Sequence, residues 1–176
     1  MARYRAILIL AAVLMTAGLH AKDPPNPEVV KAASIFRIAQ FVRWPDFEIG
    51  GEVNICTLDA PVLHERLLPL EKVSKSRYQF KVSKIDAKSD VSQCRILYLN
   101  DYEDDKKNAL LASVKDLSIL TISSDRGFAK DIGVLEFILT DDALIKISIN
   151  VSHVRRAGLT IDSRVLELAT LVGIEP

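Results

Sequence analysis

What most constrains this chain is an alternation. Four short stretches dense in Ile, Val, Leu and Tyr, at residues 53–58, 78–85, 95–99 and 117–123, read as strands, and helical spacing occupies 61–70 and 103–114 between them. A strand that leads through a helix to another strand of the same sheet returns parallel to the first, so the alternation predicts a mainly parallel sheet covered on both faces. Pro61 suits a first helical turn, where its missing N–H costs nothing, and Asp101 stands where it could cap the second helix. The last third changes rhythm. Residues 134–140 and 145–150 are joined by Asp141-Asp142-Ala143-Leu144 alone, which is short enough for a hairpin and puts an antiparallel pair at one edge. Residues 163–172 read as a closing helix, with Asp162 or Ser163 as cap and Gly173 just past its end. The expected fold is therefore α/β: a three-layer sandwich with a mainly parallel sheet, an antiparallel hairpin at one edge and helices on both faces.

Ahead of the first strand, residues 28–44 contain neither Gly nor Pro, and Pro45 forbids Trp44 from continuing a helix. The segment reads as a helix. Its polar residues Lys31, Ser34, Arg37, Gln40 and Arg43 recur every third position, not every 3.6, so the polar line spirals and apolar side chains appear on nearly every face. Two readings stand: a helix wedged between a sheet and a neighbouring helix, or one whose Ile35, Phe36, Ile38, Phe41, Val42 and Trp44 include a partner or dimer contact.

At the amino end, Arg3 and Arg5 precede the apolar run from Ala6 to Met15, and small residues lead to Ala21. This pattern reads as a signal peptide over 1–21, too short to span a bilayer and followed by the Pro-rich lead 22–27. Its removal from 176 residues leaves 155, with 21 basic against 23 acidic side chains and a net charge of −2. Such a chain lacks the electrostatic drive for nucleic acid, and no transmembrane segment is expected after cleavage. A chain with 49% hydrophobic residues and no repeat or linker reads as a single domain over 28–173.

Enzyme signatures are absent: there is no G-x-S-x-G, H-E-x-x-H, G-x-x-x-x-G-K or early G-x-G-x-x-G. His64 and His153 each stand without a second ligand at metal spacing, and the acidic run Asp101, Glu103, Asp104 and Asp105 lacks the alternating oxygens of a calcium loop. No metal, cofactor or catalytic role is therefore assigned. Ligands of parallel sheets collect at the carboxyl ends of the strands, where this chain offers Asp59, Asn100 with Asp101, and Ser123, Ser124, Asp125 and Arg126. These residues suit a small polar ligand, and they equally suit ordinary turns. Cys56 lies mid-strand and Cys94 opens another strand. Parallel neighbours starting level would hold them roughly 10 Å apart at about 3.3 Å per residue. A bridge needs a shifted register or a loop position for Cys94; otherwise both are buried thiols.

Residues Lys31-Ala32, Phe41, Trp44-Pro45 and Val53-Asn54-Ile55-Cys56 resemble the opening of the YfiR-like family of periplasmic proteins. Cys94 before Arg95-Ile96-Leu97-Tyr98-Leu99, Ile147-Ser148-Ile149-Asn150, Ala157-Gly158-Leu159, 163–166 and Leu168-Ala169 resemble its later elements. Two departures stand out: Ile132-Gly133 replaces a pair of glycines, and a second cysteine pair carried by some members is missing. The resemblance implies a non-enzymatic periplasmic regulator that represses an inner-membrane diguanylate cyclase by binding its periplasmic region. Release would raise cyclic di-GMP and favour biofilm. It also implies a homodimer and redox control through Cys56 and Cys94. The competing expectation is a periplasmic small-ligand sensor acting on another receptor, such as a sensor kinase.

Overall fold

The computed structural model describes residues 26–174 apart from Asp46, Glu103 and residues 141–143. The expected signal peptide over 1–21, most of the Pro-rich lead 22–27 and residues 141–143 of the hairpin connection lie outside the described residues. Asn26 caps α1 (Pro27–Ala39) by accepting the Glu28 N–H at 2.9 Å, and Pro27 occupies the first turn. The helix ends at Ala39, not at Trp44. After a turn at Gln40 and Phe41, Val42–Arg43 forms β1, antiparallel to β8 (Thr160–Ile161). Distant partners decide this: the Tyr78 hydroxyl donates to the Val42 carbonyl at 3.0 Å, and the Arg77 N–H donates to Gln40 Oε1 at 2.8 Å.

Seven strands form the main sheet: β2 (Glu52–Leu58), β3 (Gln79–Ile85), β4 (Ile96–Leu99), β5 (Leu120–Ser123), β6 (Leu135–Leu139), β7 (Ile145–Asn150) and β9 (Ala169–Val172). Their order is β3-β2-β4-β5-β6-β7-β9; every pairing is parallel except β6 with β7. The period of two along β4 sorts the layers. Ile96 and Tyr98 face the larger core with Ile35 of α1 and Leu63 of α2 (Pro61–Leu67). Leu97 and Leu99 face the second core with Leu110 and Leu111 of α3 (Asp105–Val114) and Phe128 of α4 (Phe128–Asp131). The expected three-layer α/β sandwich is the observed one.

Details differ from expectation. Residues 163–172 are not one helix: α6 (Ser163–Leu166), capped by Asp162, gives way to β9, which pairs with β7 through Ile147↔Ala169 and Ile149↔Leu171. The antiparallel hairpin consequently lies one strand in from the edge. Gly173 turns out of β9 at φ 63°, and a Cβ there would lie 2.2 Å from Asn150 Oδ1. Asp104, not Asp101, caps α3, accepting the Lys106 and Lys107 N–H groups at 3.0 and 3.3 Å. Past Leu67 the second helical segment tightens into a 3-10 turn at Leu68–Lys72, and α5 (Val151–Arg156) follows β7 directly.

Candidate functional site

The chain leaves β2 through α2 to β3 on one side, then crosses to β4 on the other. The helices after β2 and β4 therefore cover opposite faces, which opens a crevice at the carboxyl ends of these two strands. Asp59 and Asp101 both adopt left-handed backbone there, at φ 51° and 54°. Lys107, only 7% exposed, reaches up from α3 between them. Its Nζ lies 2.8 Å from Asp59 Oδ2 and 3.9 Å from Asp101 Oδ2, and donates to the Asn100 carbonyl at 3.0 Å. Burial works against the Lys107 ammonium, but the Asp59 hydrogen bond and the surrounding carboxylates outweigh it and hold its pKa above the usual lysine value.

A second network runs toward β5. The Tyr98 hydroxyl donates to Asn100 Oδ1 at 3.0 Å, and since a phenol has one proton, Ser124 Oγ at 2.8 Å donates to it. Burial raises the Tyr98 pKa, with the Ser124 hydrogen bond opposing. The Ser123 hydroxyl accepts the Asp125 N–H, while Asp125 Oδ2 accepts the Tyr102 N–H, both at 3.0 Å. Arg126 is exposed. An open cleft of about 530 Å3 is lined by Asp101, Tyr102, Ser124, Asp125 and Arg126. A smaller one of about 210 Å3 includes Asp59, Asn100 and Glu28. The structure thus brings all six proposed ligand-loop residues to one end of the sheet. Lys107 and Tyr98, which tie them together, went unread in the sequence: one is a lysine in a charged first turn, the other an aromatic in an apolar strand.

The cysteines meet. Cys56 lies opposite Leu97, three positions beyond Cys94, as the level-start estimate assumed. Cys94, however, closes a turn in which its N–H donates to the Val91 carbonyl at 2.9 Å. This loop position brings the α carbons to 5.8 Å and allows the Cys56–Cys94 disulfide. Both residues are 1% exposed within the second core.

Of the six apolar positions proposed for a partner or dimer contact, Ile35, Ile38, Val42 and Trp44 are buried in the chain's own core. The Trp44 Nε1–H donates to the Arg95 carbonyl at 3.1 Å. Phe36 and Phe41 are half-buried: Phe36 packs on Phe80 with ring centres 5.5 Å apart, and the Arg164 guanidinium sits 4.7 Å over Phe41. His64 Nδ1 lies 2.9 Å from Thr57 Oγ1, and His153 Nδ1 lies 2.7 Å from the Gly133 carbonyl. No three His, Cys, Asp or Glu side chains among the described residues could together hold a metal ion.

These features define a doubly wound α/β domain, stapled by one disulfide, with its polar loops at the carboxyl ends of the strands. The chain belongs to the YfiR/HmsC-like family, whose model matches residues 28–170. At the level of the family the role is periplasmic regulation of a diguanylate cyclase, by proteins that are regulators and not enzymes. No helix among the described residues is long and apolar enough to cross a membrane. The fold is similar to a solved structure described as the ABC domain in complex with L-Trp from Streptococcus pneumonia, at a TM-score of 0.51 and 10% identity. That likeness covers 84% of this chain and 62% of the other, and it is one of fold alone. No curated protein matches the chain.

Proposed function

We propose that this protein is an exported repressor that restrains an inner-membrane diguanylate cyclase by binding its periplasmic region, and that it does so as a homodimer. The family match over residues 28–170 carries the reading. The Arg-led apolar leader and the absence of any catalytic signature support it. Deleting the gene in a strain with an intact neighbouring cyclase gene should raise cellular cyclic di-GMP and surface attachment. Unchanged cyclic di-GMP would overturn the assignment.

Redox state enters this proposal through Cys56 and Cys94. Thiol labelling of the exported protein should find both blocked until reduction, and repression should weaken once they are reduced. Free thiols in the exported protein would remove the switch and leave the binding role standing.

A second reading is favoured by one observation, the convergence of Asp59, Asn100, Ser124, Asp125 and Arg126 around open clefts at the carboxyl ends of the strands, with the buried Ser123 hydroxyl holding the Asp125 N–H behind them. In that reading the protein senses a small polar ligand and acts on another receptor, such as a sensor kinase. Calorimetry against nucleotides, amino acids and cell-wall fragments tests it, and a flat response to every class would dispose of it.

A further inference from the structure

The two edges of the seven-stranded sheet are finished differently. At the β3 edge, Glu71 Oε1 accepts the Val82 N–H at 2.8 Å, and Lys81 and Lys84 punctuate the strand. An occupied amide and edge lysines are two ordinary ways of discouraging another strand from pairing. The β9 edge has neither. No described strand pairs with it on the far side, and residues 168–174 carry no charged side chain and no Pro. Three large apolar residues stand out along it: Leu168 is 82% exposed, Leu171 36% and Ile174 64%.

We propose that β9 is the self-association edge of this protein, pairing antiparallel with β9 of a second copy to continue the sheet across a two-fold axis. The inference rests on the homodimer part of the reading above and names its surface. Symmetry restricts the register. A two-fold axis normal to the sheet keeps each face on its own side, so facing residues must share a face, and the pairing must centre on a residue, Thr170 or Leu171. Centred on Leu171, the strand sets Leu171 against its own copy and Thr170 against Val172, while Leu168, in the turn before β9, and Ile174, past the bend at Gly173, flank the pairing at its two ends. The exposed Leu171 is then covered by its own copy. Centred on Thr170, Leu171 would instead meet the small Ala169 of the copy, which is already partly covered. A second copy fits this edge better than an unrelated partner does, because the segment is complementary to itself and carries no charge to repel its image. A four-residue strand and three side chains fall well below the roughly 800 Å2 per copy of a standard interface, so the dimer is weak and reversible.

Sedimentation of the mature chain over about 1–200 μM should show a monomer–dimer equilibrium in the micromolar range, as an interface of this size implies. Leu171→Lys, which puts two ammonium groups face to face on the axis, should weaken dimerisation by at least about tenfold. Leu168→Glu should also weaken it. Adding Ile174→Lys in the same chain should recover part of it, because antiparallel pairing brings the 168 end of one strand beside the 174 end of the copy. Unchanged circular dichroism and Trp44 fluorescence would show that the variants fold; should Leu171→Lys fail to fold, the highly exposed Leu168 pair carries the test. A dimer that withstands Leu171→Lys and Leu168→Glu would overturn the edge assignment and leave the homodimer reading intact. A monomer at every concentration would overturn both, with cyclase repression still tested separately by gene deletion.

Discussion

Opening the Cys56–Cys94 bridge should cost this fold a large part of its stability. The bridge spans 38 positions, and loop closure of that length removes enough entropy from the unfolded chain to stabilise the native state by about 4 kcal/mol at 25 °C in the chain-entropy account. For a domain of this size each kcal/mol moves Tm by about 2–4 °C, so reduction should lower it by roughly 8–16 °C. Burial adds to the effect. Both cysteines are 1% exposed among Leu58, Val91 and Leu97, and two unbonded thiols need more room than a bonded pair in a close-packed interior. The assay is urea unfolding followed through Trp44, the single tryptophan of the chain and 3% exposed. Oxidised protein, reduced protein and the variants Cys56→Ala, Cys94→Ala and the double variant should be compared. Either single substitution removes the whole cross-link, so the singles should each lose nearly as much as the double, a non-additivity that independent packing defects would not produce. A loss below about 1 kcal/mol on reduction, against the 2–5 usual for a native bridge, would refute the reasoning.

Other perturbations test the packing and the polar site. Gly133→Ala would place a Cβ 1.9 Å from a carbon of the buried Phe128 ring, and this overpacking should cost about 1–3 kcal/mol by the same urea assay; a neutral result would refute that contact. Lys107→Met deprives Asn100 of its Nζ donor and Asp59 of its ion-pair partner, with an expected loss of about 1–3 kcal/mol at neutral pH. The sign with pH follows from the raised Lys107 pKa: its contribution is complete below the unfolded lysine value of about 10.4 and is lost as pH rises through the higher folded value. Above that window the wild-type advantage over Lys107→Met should therefore shrink, and equal curvature in both proteins on the alkaline side would refute the linkage. The Asp162 carboxylate, held well below the usual range by its hydrogen bonds to Arg164, carries the opposite sign. Its contribution is present above about pH 4 and is lost on acidification, so Arg164→Ala should flatten that acid limb.

The sheet was legible because its signal is local. Runs such as Ile96-Leu97-Tyr98-Leu99 are buried on both faces and cannot avoid being apolar throughout, and the two longer segments between them carry helical spacing with local start signals, Pro61 in the first turn of α2 and the Asp104 cap of α3. The polar strand ends were legible for the same reason, since parallel strands deliver their following loops to one end of the sheet. Residues 40–44 and 167–172 were not. Leu168-Ala169-Thr170-Leu171-Val172 is compatible with helix or strand, and the open hydrogen-bonding edge of β7 decides for strand. Val42 and Arg43 are likewise drawn out of α1 by Ile161 and Thr160, more than a hundred positions away. Lys107 looked like one more solvated charge in a first turn. Only the crossover that sets α3 beneath Asp59 and Asn100 makes it the buried cation of the site.

The order of apolar runs and breaks determined, unaided, that this polypeptide would build a parallel sheet with helices on both faces and with its polar loops gathered at one end. Tertiary structure alone decided that Cys94 would leave the line of its strand to meet Cys56, that most of the apolar excess of the first helix would be enclosed, and that the last strand would stand open at an edge. The physical reason is one of range. Periodicity and capping act within a few residues and are written along the chain, whereas a disulfide, a two-residue ladder or an unpaired edge depends on which distant segment arrives alongside.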